Sequence, residues 1–121
     1  MQDFRKLEIY QGAKEFCGDI YKFCVVLPKN EQFGLISQIK RAVTSITLNI
    51  AEGSGCDTNS EFFVFVSYAY RSCNEVLACL ELIEYLNLCN QPAPFEELGI
   101  KGVRLSRMIY SFSKKLKNKE T

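Results

Sequence analysis

Hydrophobic positions recur along this chain at steps of three and four, the period of a helix with one buried face. Four such segments follow one another. The first spans about residues 4–27, with apolar side chains at Phe4, Leu7, Tyr10, Ala13, Cys17, Ile20, Cys24 and Leu27, and Pro28 to stop it. The second, 32–53, carries the seam Ile39, Val43, Ile46 and Ile50 and runs into Gly53-Ser54-Gly55, an exit suited to positive φ. Its β-branched stretch from Val43 to Thr47 is strand-like in isolation. The periodicity on both sides exceeds a strand's length and decides for helix.

The third segment, 59–88, opens with the capping box Thr58-x-x-Glu61. Phe62, Val66, Ala69, Cys73, Val76, Leu80 and Ile83 then form a heptad seam, the pattern of near-parallel helix packing. A second line, Phe63, Tyr70 and Leu77, widens the apolar face and marks a candidate oligomer interface, with a broad core face as the alternative. The fourth segment, 95–117, follows Pro94, with Glu96 and Glu97 in its first turn and Leu98, Leu105, Ile109, Phe112 and Leu116 as its seam. Gly99 and Gly102 weaken its first half. Short connections between long amphipathic segments imply an all-α fold: one domain over residues 1–121, an antiparallel up-down-up-down four-helix bundle.

The second segment also carries a polar line. Gln38, Arg41, Ser45, Asn49 and Glu52 share one narrow face, with complementary donors and acceptors. A solvent face needs no such order. If the second and third segments pair around a turn near residues 56–57, Gln38 faces Glu75 and Arg41 faces Ser72, one turn from Glu75. Glu52 then lies level with the start of the third segment, whose free N–H groups favour a carboxylate. The expected result is a structural network of Gln38, Arg41, Ser45, Asn49, Glu52, Ser72 and Glu75, with an Arg41–Glu75 pair setting register. A ligand surface is the alternative.

Composition narrows the chemistry. At 121 residues and 47% hydrophobic content the chain fills one core. It has no run of about 18 apolar residues, so no membrane span is expected. The N-terminus alternates charges where a secretion signal needs an apolar stretch, so a cytoplasmic location is expected. Six cysteines come without a CxxC pair and without histidine. Cys17, Cys24, Cys73 and Cys79 fall at core-like positions, which reads as free buried thiols rather than disulfides or a zinc site. Cys56 and Cys89 are the accessible candidates. Without histidine, a phosphate loop or a nucleophile–base pair, no catalytic, cofactor or metal residues and no small-molecule substrate are assigned.

The net charge of +1 hides a gradient: residues 51–100 hold one basic and eight acidic groups, and residues 101–121 hold seven and one. A basic last helix beside an acidic third one accounts for this. The other reading is RNA or DNA binding, with Lys40, Arg41, Lys101, Arg104, Arg107, Lys114, Lys115, Lys117 and Lys119 as candidate phosphate contacts.

The run Pro28-x-x-Glu31-x-Phe33-Gly34-Leu35-x-x-Gln38-x-x-Arg41-Ala42-x-x-Ser45-Ile46-x-x-Asn49-Ile50-Ala51-Glu52-Gly53, continued by Glu61-Phe62, Ser72 and Glu75, resembles the signature of the bacterial 23S rRNA intervening-sequence proteins. The chain departs from it at Cys56, where members commonly have Arg, and at Arg71, where they have Gly. The resemblance implies a closed four-helix bundle in a ring-like homo-oligomer, typically a pentamer. The family is in turn similar to the accessory variability protein of diversity-generating retroelements, a basic pentamer that engages nucleic acid and a reverse transcriptase. The expected function is a non-enzymatic, homo-oligomeric scaffold or binding module, with nucleic-acid binding through a basic face as the alternative.

Overall fold

The computed structural model describes residues 3–31, 34–89 and 94–119, except the side chains of Glu31 and Lys119. Four α-helices dominate: α1 (Glu8–Cys24), α2 (Leu35–Ser54), α3 (Asn59–Tyr85) and α4 (Phe95–Lys119). Short 3-10 turns, Phe4–Lys6 and Lys29–Glu31, precede α1 and α2. The expected start of the second helix at Gln32 lies outside the described residues.

The first helix begins later than the periodicity predicts. Asp3 accepts a hydrogen bond from the Arg5 backbone N–H and caps the Phe4–Lys6 turn. Leu7 is extended (φ −77°, ψ 130°), which separates that turn from α1. The Gln11 side chain donates to the Arg5 carbonyl at 2.8 Å and folds the turn back onto the helix.

Each helix packs on two others: α1 and α3 both lie against α2 and α4, and neither diagonal pair brings Cα atoms within 8 Å among the described residues. Facing residues on neighbouring helices run in opposite numerical order. Gln38 meets Glu75, Ser45 meets Ser72, and Gly53 meets Phe62 between α2 and α3. Between α3 and α4 the rings of Phe62 and Phe112 are 5.3 Å apart and those of Tyr70 and Tyr110 5.8 Å. Between α1 and α4, Gly12 approaches Leu105, Asp19 binds Lys101, and Phe23 meets Phe95. Neighbours therefore alternate in direction around one closed core.

Every residue of the α2 and α3 seams is buried, and so are Leu98, Leu105, Ile109 and Leu116 of α4; Phe112 is half-buried. On α1 the expected Ala13, Ile20 and Cys24 are buried, as is Leu27 beyond it, and Ile9, Phe16 and Phe23 join them in the core. Tyr10 and Cys17 sit at its edge. Burial of these side chains supplies the main stabilisation, about 25 cal/mol per Å² of apolar area. Thr58 caps α3 as expected, its Oγ1 accepting the Glu61 backbone N–H at 3.1 Å, while the Glu61 carboxylate accepts the Thr58 hydroxyl at 3.0 Å.

The glycines do a different job from the one the sequence suggests. Among the described residues no glycine has positive φ; the left-handed position is Asn87, at φ 55°, just beyond α3. Gly53 lies inside α2, where an added Cβ would stand 2.8 Å from both Phe62 Cδ1 and Phe65 Cβ. Gly53 lets α2 and α3 close at their shared end.

Candidate functional site

The α2 polar line faces α3 and divides into two parts. The Gln38 amide donates to the Glu75 carboxylate. One helical stretch further on, Ser45 Oγ accepts from Ser72 Oγ at 2.9 Å and from Asn49 Nδ2 at 2.9 Å, while Asn49 also reaches the Ser45 carbonyl at 2.9 Å. These five side chains bridge the two helices. The expected facing of Arg41 with Ser72 is shifted by one turn, because Ser45 takes the Ser72 hydroxyl.

Arg41 and Glu52 stand apart from that bridge. Arg41 is exposed and makes no ion pair with Glu75, which holds Gln38 instead. Glu52 does not cap α3; Thr58 does. Both side chains border a shallow hollow of about 420 Å³ beside α2, together with Ser45 and Asn49 of the bridge and with Tyr21, Lys40, Thr44 and Leu48. Leu48 is 61% exposed between this hollow and an apolar one of about 310 Å³ against α1. Lys40 places its ammonium 5.1 Å from the Tyr21 ring centre, and the Tyr21 hydroxyl lies 3.3 Å from Thr44 Oγ1.

The basic residues of α4 are divided among different neighbours. Lys101 donates to Asp19 at 2.9 Å with Glu97 at 3.8 Å, and the Asp19 hydrogen bond raises its pKa. Lys114 lies over Tyr110 and Lys117 over Phe63, at 5.1 and 6.0 Å from the ring centres. Arg104, Arg107 and Lys115 border an open groove of about 1110 Å³ along α4, whose floor includes Leu77, Phe95, Met108 and Phe112. The Lys119 side chain lies outside the described residues. The nine basic candidates thus occupy at least two separate faces.

Phe63, Tyr70 and Leu77 are half-buried at the seam of α3 with α4. Tyr70 packs on Tyr110, and Leu77 fills the space that a Cβ at Gly102 would enter at 2.6 Å. The protomer itself uses this line. The apolar side chains that α3 leaves outside are Val64, Tyr68, Leu82 and Tyr85, on the opposite side of the helix from the core seam. Their spacing was a signal in the sequence: positions 64, 68, 71, 75, 78, 82 and 85 alternate steps of four and three, as the core seam does.

Burial governs the thiols. Cys73 donates to the Gly102 carbonyl, Sγ to O 3.4 Å, and desolvation pushes its pKa up to about 12. Desolvation also holds Cys24 at about 11, and raises Cys17 and Cys79. Cys56 is raised by desolvation and by the nearby Glu61, Glu52 and Asp57 carboxylates. Cys24 and Cys79 face each other across the core, yet no Cα of α1 comes within 8 Å of one in α3. A disulfide needs roughly 4.4–6.8 Å. Among the described residues, no three Cys, Asp or Glu side chains converge to hold a metal ion, and no helix is long and apolar enough to cross a membrane.

Comparison with known proteins agrees with this architecture. Residues 5–111 match the family described as 23S rRNA-intervening sequence protein. The crystal structure of a protein of unknown function from the S23 ribosomal protein family of Bacteroides thetaiotaomicron VPI-5482 is similar, with a TM-score of 0.76 and 25% identity over 88% of this chain and 98% of that one. No curated protein matches the chain.

Proposed function

This chain belongs to the 23S rRNA-intervening sequence protein family, and from that premise we propose that it is a non-enzymatic helical bundle that assembles with copies of itself and serves as a scaffold or binding module. One observation carries the reading: large apolar side chains stand on the outer faces of an otherwise closed bundle. They include Leu48 on α2, Val64, Tyr68, Leu82 and Tyr85 on α3, and Ile100 and Val103 on α4. Exposed apolar patches mark contact sites between proteins. The family signature contributes too: Arg41 and Glu52, which make no ion pair among the described residues, border the same hollow as Leu48. The test is solution mass by light scattering at micromolar concentration. A multiple of 13.8 kDa is expected, and a monomer would overturn the proposal.

A second reading, binding of RNA or DNA, is favoured by a separate observation. Arg104, Arg107 and Lys115 are exposed along α4 and pair with no carboxylate among the described residues. Repetition of that cluster around an oligomer multiplies the counterions released on phosphate binding. Fluorescence anisotropy with a structured RNA tests it. The expected result is affinity that falls steeply with added salt and is weakened by Arg104→Glu with Arg107→Glu; no binding at low salt rejects it.

A further inference from the structure

The seam between α3 and α4 carries, on its outward side, a strip in which aromatic rings and cations alternate. On α4, Arg107, Tyr110, Lys114 and Lys117 recur at steps of three and four and share one face. All four are exposed. Phe63 and Tyr70 of α3 lie half-buried behind them. Tyr70 packs on Tyr110 with ring centres 5.8 Å apart and planes tilted by 48°. The Lys114 ammonium stands 5.1 Å from the Tyr110 ring centre, and that of Lys117 stands 6.0 Å from the Phe63 ring centre.

Charge along this strip has one sign. The sequence of α4 holds no acidic residue from Leu98 to Lys119, and that of α3 holds none from Phe62 to Asn74. Among the described residues, Arg107, Lys114 and Lys117 form no ion pair. Two of these cations rest on rings instead. A cation over an exposed ring is held weakly. The ammonium of Lys114 can therefore swing to a phosphate and leave the Tyr110 face open.

The matching occupant is a polyanion that also offers flat faces. An acidic peptide satisfies the cations but brings nothing to stack on Tyr110. A nucleic-acid duplex satisfies them too, yet its base faces are covered by their neighbours. An unpaired strand presents phosphates and open base faces together, and bases of such strands stack on aromatic side chains beside basic ones. The line from Arg107 to Lys117 is about 15 Å long at 1.5 Å per residue, room for a few successive nucleotides.

We infer that the outward α3–α4 seam binds single-stranded nucleic acid, with a base stacked on Tyr110 and the flanking phosphates on Arg107, Lys114 and Lys117. This deepens the nucleic-acid reading and rests on it. It also separates two sides of α4, since Arg104 borders a hollow against α1 instead.

Fluorescence anisotropy tests it with four labelled probes at one salt concentration: a twenty-nucleotide oligo-dT, the matching oligo-rU, a twenty-base-pair DNA duplex and polyglutamate. At least one single strand should bind several-fold more tightly than duplex and polyglutamate, and the two strands together tell DNA from RNA. Tyr110→Ala should weaken that binding about tenfold, and Tyr110→Phe, which keeps the ring, should hold it within about twofold of the parent. Lys114→Glu with Lys117→Glu should cost more affinity than Arg104→Glu with Lys115→Glu, with helix content by circular dichroism unchanged in every variant. Single strands bound no better than duplex or polyglutamate, a Tyr110→Ala affinity equal to the parent's, or a Tyr110→Phe loss equal to that of Tyr110→Ala would each overturn the stacking site alone. No binding of any nucleic acid at low salt would overturn both it and the nucleic-acid reading.

Discussion

At the scale of single residues, the polar line of α2 separates into side chains that hold the bundle and side chains that face away from it. Gln38 opposite Glu75 was legible from counting residues outward from a turn, because helical pairing fixes register once one contact is placed. The same count puts Arg41 against Ser72, one turn off, since nothing in the letters says which hydroxyl Ser72 will choose. The structure settles that choice in favour of Ser45, whose Oγ accepts two hydrogen bonds in a half-buried setting. Ser45→Ala removes that acceptor and strands the Ser72 donor, while Asn49 keeps the Ser45 carbonyl, so it should lower unfolding free energy by about 1 kcal/mol in urea titration. Arg41→Ala removes an exposed side chain with no ion-pair partner among the described residues, and its effect on protomer stability should stay within about 0.5 kcal/mol. If Arg41→Ala proved the more destabilising of the two, the division of the line drawn here would be wrong.

At the scale of elements, the sequence was most informative where one apolar line ran longest without a break. The α2 and α3 seams are buried without exception, and the seven positions of the α3 seam outweigh the shorter line through Phe63, Tyr70 and Leu77 beside it. α1 was harder because it carries two neighbouring stripes, one through Tyr10 and Cys17 and one through Ile9, Phe16 and Phe23. Periodicity accepts both, and only the packing angle against α2 and α4 decides which enters the core. The glycines show the same limit. An exit from α2 and a close approach within α2 both call for glycine, and the letters do not distinguish them. Gly53→Ala therefore has a predicted sign. Its Cβ would meet Phe62 and the fixed Phe65 Cβ at 2.8 Å, and strain of about 1–3 kcal/mol outweighs the roughly 1 kcal/mol gained in helix propensity. Gly18, in α1, has nothing within 4 Å of the same added atom. Gly18→Ala should stabilise by up to about 1 kcal/mol, and opposite shifts in denaturation midpoint for the two variants are the expected readout.

At the scale of the whole molecule, the buried thiols link the core to pH. The sequence indicated thiols at core positions; how strongly each is desolvated depends on packing from several helices at once and became readable only in the fold. Cys73 and Cys24, at about 12 and 11, bind their protons more tightly when folded than in the unfolded chain, where the ordinary value is 9.0. Cys17 and Cys79 shift the same way. Between pH 9 and the folded values the unfolded state has lost protons that the folded state keeps. Stability therefore falls as pH rises through that interval and is fully present below it. Lys101 adds to the trend: its pKa is raised by Asp19, so its contribution is present below 10.5 and is lost as pH rises through its folded value. For Cys73 alone the slope is at most about 1.4 kcal/mol per pH unit. Urea unfolding measured from pH 7 to 11 should show a plateau followed by a decline above about pH 9. Cys73→Ala should flatten that decline even though the substitution lowers stability at neutral pH, because a slope reports protons and an offset reports packing. A decline as steep in Cys73→Ala as in the parent would mean that this thiol titrates in the folded bundle as it does in the unfolded chain.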